Sequence, residues 1–293
     1  MAATADAPPA WPQQPMFAAL APFRSACSMD ALNRLSAGRG GARAIRFVAQ
    51  SPELLADGLH YEERIAREGE VATREGSTHD LFNALIWLRH PALKRAMNAR
   101  QVADIARVGP KRRTRGQCAL THFDEAGAIV WAGASAPFAA WDAHDWRGLF
   151  LDARDAWGST LAITLIGHAL FDHALVHREY PVAKALVVGI ACDEIEKRSR
   201  DALIDAWPDA ERAVAGEIEA GRLLADPQEL RPLPLAGLWN ARSKSADFYA
   251  AAPCFRPLRA GRRYPAPLAL AAISRPSSAA ANAAGDAPGR PGR

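Results

Sequence analysis

The run from Ser77 to Leu88, STHDLFNALIWL, constrains this chain more than any other segment. Wound on a helix from His79, it places Leu81, Phe82, Leu85, Ile86 and Leu88 on an arc from roughly 180° to 340°. His79, Asp80, Asn83 and Trp87 fall together between roughly 0° and 100°. The spacing predicts a helix from Thr78 to Arg89 with one core-facing side and three different polar groups beside an aromatic on the other. Ser77 and Asp80 also fit a helix capping box, so Asp80 serves either the helix start or chemistry. His79 and Asn83, four apart, form either a solvated face or a pair of substrate contacts. Trp87 argues against full solvation.

Other elements follow from punctuation and period. Arg39-Gly40-Gly41 reads as a turn before a strand at Ile45–Gln50. Tyr61–Arg67 reads as a short helix, Glu70–Arg74 as extended chain, and Pro91 opens a helix to Val108. Cys118–Phe123 and Ala128–Trp131 suit two strands joined by the hairpin Asp124-Glu125-Ala126-Gly127. Leu161–His177 has helical apolar spacing and is closed by Pro181. Ala185–Ile190 fits strand or helix, while Asp193–Trp207 and Asp209–Ala225 read as helices. Leu230–Arg263 is rich in proline and aromatics, and is expected to wrap over the domain as an extended segment. The fold class expected is α+β, mainly helical with a small antiparallel sheet. A single domain over 16–263 lies between Ala/Pro/Gly/Ser-rich tails, 1–15 and 274–293, that are expected to be unstructured.

Composition narrows the setting. The 36 Lys and Arg against 32 Asp and Glu leave a formal charge of +4, too weak for a dedicated nucleic-acid binder. Cys27, Cys118, Cys192 and Cys254 are widely spaced, with no C-x-x-C to suggest a zinc ribbon or redox pair. The opening residues do not read as an export signal, and the charge-free run 156–171 is too short to span a membrane. The expectation is a cytoplasmic protein with reduced thiols and no membrane partner.

Two further sets of residues carry chemistry. His168 and Asp172 lie four apart, and the expected helix phase puts both inside an apolar stripe. The pair is then either a core hydrogen bond or an acid orienting a His that acts as base or metal ligand. His173 and His177 share the H-x-x-x-H spacing, but Ala174 replaces the glutamate of a zinc protease motif. Asp124 and Glu125 resemble adjacent metal-binding carboxylates, and equally ordinary hairpin residues beside Gly127. On a strand, Cys118 and His122 would be about 13 Å apart, too far to act as thiol and base. The basic run Lys111–Arg115 reads as a solvated loop or a grip on a phosphate-bearing ligand.

The blocks TREGSTHDLFNALIWLRHPALKRAMNARQ, CALTHFDEAGAIV, GHALFDHAL, LPLAG and FYAAAPCFRP, in that order, resemble the bacterial DUF3025 family over roughly residues 45 to 260. The resemblance implies an acidic residue before the A-L-T of the second block, where this chain has Cys118. It carries a family name and no activity. The sequence reading leans to a hydrolytic or metal-assisted enzyme with a cavity of His168, Asp172, His79, Asn83 and Asp80. Arg74, Arg113 and Arg115 are the candidate substrate or anion contacts, and the sequence names no metal or cofactor. The alternative is a non-catalytic binding protein that meets an acidic partner through Lys111–Arg115.

Overall fold

The computed structural model describes residues 15–40, 44–133, 135–176, 181–190 and 208–269. The expectations for residues 1–14 and 274–293, for the helix at 193–207 and for His177 lie outside them. In chain order the elements are α1 (Met29–Gly40), β1 (Arg46–Ala49), α2 (Pro52–Leu55), α3 (Tyr61–Glu68), β2 (Glu70–Thr73) and α4 (Thr78–Arg89). There follow α5 (Pro91–Val108), α6 (Arg115–Ala126), β3 (Gly127–Ala132), α7 (Phe138–Asp142) and β4 (Leu161–Leu165). Then come α8 (His168–Val176), β5 (Val182–Gly189), α9 (Pro208–Glu219), β6 (Arg231–Pro234), α10 (Ala236–Trp239), α11 (Ala246–Ala251) and β7 (Leu268–Ala269).

The protein is α+β, but its main sheet is mixed rather than purely antiparallel. Its order is β4-β3-β5-β6, with β7 also on β5. β3 runs antiparallel to β4 and parallel to β5, and β5 runs antiparallel to β6 and parallel to β7. All six residues of β3 are buried, as expected of a strand covered on both faces. β1 and β2 form a separate parallel pair. Pro232 and Pro234 lie on β6, at the edge of the β4-β3-β5-β6 path, where a missing amide donor is tolerated. The C-terminal segment therefore contributes a strand and short helices, more regular structure than an extended wrap. It buries Phe248, Tyr249 and Phe255, and sets the rings of Tyr249 and Phe255 against Phe150.

Two local readings are corrected. Residues 118–123 are helical: Thr114 and Gln117 form a reciprocal capping box that starts α6. Its buried Gly116, Ala119, Leu120 and Phe123 recur at helical spacing. The 13 Å objection to Cys118 and His122 therefore falls, since four residues on a helix is one turn. Residues 161–165 are a strand buried along its whole length, so uniform burial produced apolar spacing that also fits a helix. The helix starts only at His168. Two smaller differences concern ends: Arg39 and Gly40 close α1 instead of forming a turn, and α9 stops at Glu219.

These corrections matter because both involve junctions that touch. Gly127 joins α6 to β3, and Gly167 joins β4 to α8. The Gly127 carbonyl accepts from the amides of Ile166 and Gly167 at 3.0 and 2.8 Å. A Cβ on Gly167 would lie 2.4 Å from the Gly127 nitrogen, and one on Gly127 would lie 2.2 Å from the Phe123 carbonyl oxygen. Only glycines allow this approach of backbone to backbone. It sets the last turn of α6 against the first turn of α8.

Candidate functional site

The C-terminal turn of α6 carries Asp124 and Glu125, and α8 opens with His168. The third wall is α4, whose first turn carries His79. Ser77 caps α4 by accepting from the Asp80 amide, as the sequence predicts. Asp80 itself does not close a capping box. It grips Arg74, accepting from its backbone amide at 2.7 Å and from its guanidinium at 2.9 and 2.8 Å. Together with α3 and α5, these helices enclose a cavity of about 530 Å³, the size of a small-molecule site.

Three donor atoms converge in it. His79 Nε2 and His168 Nε2 are 3.0 Å apart, and Glu125 Oε2 lies 3.9 Å from the first and 3.7 Å from the second. These separations define a triangle with a point about 2.1 Å from every corner, which is the zinc–nitrogen and zinc–oxygen distance. Behind each ring stands a carboxylate. Asp172 Oδ2 is 3.8 Å from His79 Nδ1, and Asp124 Oδ2 is 3.9 Å from His168 Nδ1. Both gaps exceed a hydrogen bond, yet each acid favours a proton on Nδ1 and leaves the Nε2 lone pair facing the common point.

The electrostatics suit that role. Burial, stronger than the opposing pull of Asp124, drives His168 down to about 4, so its imidazole is neutral near pH 7. Burial alone would raise Asp124, but the Lys94 ammonium and the neighbouring histidines outweigh it and hold the carboxyl low. Glu125 is pushed up by burial and by Asp124. Lys94 is itself buried, 4% exposed, and ion-pairs with Asp124. It also donates to Asn83 Oδ1 at 2.8 Å and lies 5.3 Å from the Trp87 ring centroid. Asn83 Nδ2 in turn donates to the Tyr61 hydroxyl at 3.0 Å. Elsewhere in the wall Glu62 accepts from Asn98 Nδ2 at 2.7 Å, and burial pushes its carboxyl up to about 7.

Most of the residues named from the sequence meet here, but in different partnerships. His168 and Asp172 do not pair with each other. His168 is 4% exposed and faces His79, Asp124 and Glu125. The Asp172 side chain is 31% exposed, accepts from Thr78 Oγ1 at 2.5 Å, and backs His79. The expected apolar stripe failed because Leu161 and Leu165 belong to a strand. Arg74 and Arg113 line the cavity. Arg115 is turned away into an ion pair with Asp226.

Lys94 was not singled out by the sequence reading, and Asp124 and Glu125 were weighted as loop residues. Adjacent acids before a glycine are visible in the sequence, but Gly127 also suits a hairpin turn. For Lys94 a usable signal exists: Lys94, Asn98 and Gln101 recur at helical spacing on α5, beside the apolar Leu93, Ala96 and Met97.

Among the described residues no helix is long and apolar enough to cross a membrane. No curated protein and no solved structure matches the chain. A family model described as "Protein of unknown function (DUF3025)" matches residues 45–259, which hold the three convergent donors and the whole wall around them. With most of its length so matched, the chain belongs to the DUF3025 family.

Proposed function

We propose that this protein is a metal-dependent hydrolase of small molecules, with a zinc-type cation held by His79, His168 and Glu125. The observation that carries the reading is the triangle of donor atoms with one point at bonding distance from all three. Two histidines and one carboxylate form a donor set of catalytic zinc sites, which keep a fourth position for water or substrate. A cation there supplies a Lewis acid and makes a bound water more acidic.

The chain's own groups supply the rest. The negative charges of Asp172 and Asp124, near Nδ1 of His79 and of His168, favour the tautomer that leaves Nε2 open to a cation. Lys94 neutralises Asp124, so the second carboxylate near the centre does not repel an incoming nucleophile. In hydrolysis the water oxygen bonds to the electrophilic centre as the bond to the leaving group breaks. The water proton ends on the leaving group. We place this activity in the bacterial cytoplasm, in keeping with the thiols of Cys27 and Cys118, which form no disulfide among the described residues.

Metal analysis of the full chain, reconstituted with zinc and desalted, tests the reading. We expect one zinc per chain, lost in His168→Ala and in Glu125→Gln while both variants stay folded by circular dichroism. Wild-type protein that retains no zinc, manganese or iron after reconstitution would sink it.

A further inference from the structure

Charge in the cavity is unevenly compensated. Asp80 is committed to Arg74, and Asp124 to Lys94. Glu62 is held by Asn98, with its carboxyl pushed towards the protonated form. Glu125 faces the two histidines. Arg112 and Arg113, on the loop between α5 and α6, line the same cavity. Neither has an acidic partner among the described residues, although Arg115, two residues on, has found Asp226. Two adjacent arginines thus line a cavity whose anionic side chains are already engaged.

Guanidinium forks match oxyanions, and two of them present more donors than a carboxylate's two oxygens can use. A phosphate monoester supplies three terminal oxygens and nearly two negative charges near pH 7. The cavity, about 530 Å³, has room for such a group together with a small organic body. We infer that Arg112 and Arg113 form a phosphate-anchoring subsite, and that the substrate is a small phosphate monoester held there by its phosphate while another bond meets the histidine centre. The choice of substrate class rests on the hydrolase reading; the subsite itself stands on the two arginines.

Inorganic phosphate is the probe, titrated calorimetrically at constant ionic strength into the full chain, both zinc-loaded and metal-free. The expected result is binding in both forms, weaker for acetate, and weakened about tenfold or more in Arg112→Gln/Arg113→Gln. Both arginines are exposed, so that double variant is expected to fold normally; Arg115→Gln should bind phosphate like wild type. Absence of phosphate binding in both forms, or an unchanged affinity in the double variant, overturns the subsite. Zinc content is read on the same samples. Arginine-dependent phosphate binding without zinc uptake supports the subsite and removes the metal reading instead.

Discussion

The polar cavity and the aromatic cluster at the C-terminal end of the chain are both interior, yet they do opposite work. In the cluster Phe150 stacks on Trp157 and Tyr249 at 5.7 and 6.3 Å, and Phe255 leans on Tyr249 at 4.9 Å. Such contacts stabilise chiefly by burying apolar area. In the cavity Lys94 and His168 are almost wholly buried and Asp124 and Glu62 partly so, and their charges are tied to one another. Buried charge contributes little net stability even when paired, and loss of one partner is expensive. The cluster therefore holds the chain together, while the cavity uses part of that stability to hold reactive groups in place.

The largest test separates the two regions. Phe150→Ala should destabilise by about 3–5 kcal/mol in denaturant melts while zinc stoichiometry at low temperature is unchanged. A parallel loss of zinc in the folded variant would show that the regions are coupled. Next comes Lys94→Met, which leaves Asp124 without its cation and should cost about 3 kcal/mol. Adding Asp124→Asn should recover much of that loss. If the double variant is no more stable than the single one, the pair is not what balances the cavity.

Zinc should raise the stability of wild type by about 2–3 kcal/mol at a hundredfold excess over its dissociation constant. His168→Ala should show no such rise in thermal melts. An equal rise in both proteins would place the metal elsewhere.

The smallest effect is a pH slope. Glu62 goes from 4.5 when unfolded to about 7 when folded. The folded state thus binds its proton more tightly, and stability from this group is full below about pH 4.5. It falls as pH rises to about 7 and is level above that. Glu62→Gln should flatten this window by on the order of 2 kcal/mol. Parallel profiles for the two proteins would mean that Glu62 is solvated and titrates normally.

Much of this was legible locally. The phase of α4, with Ser77 as its cap, Pro91 at the start of α5, and the strands at 46–49 and 70–73 agree with patterns in the chain. His79, Asn83 and His168 were identified by type and spacing, and all three line the cavity. The misreadings cluster at two places, residues 115–127 and 161–168. In the first, Asp124–Gly127 resembles a hairpin connection and so suggests a strand in the residues before it. In the second, a strand buried on both faces lacks the alternation that would betray it.

The sequence by itself determined which side chains were available and which faces of a helix such as α4 were apolar. Those properties belong to single residues and to neighbours within a turn or two. What Gly127 and Gly167 were for, only the tertiary structure decided. Their backbones meet across 40 residues of chain, and that contact turns the end of α6 towards the start of α8. Glu125 is thereby brought to two histidines from separate helices, and Asp124 to a lysine from a third. A ligand set of this kind has no local period, because its members are related only by how distant segments pack.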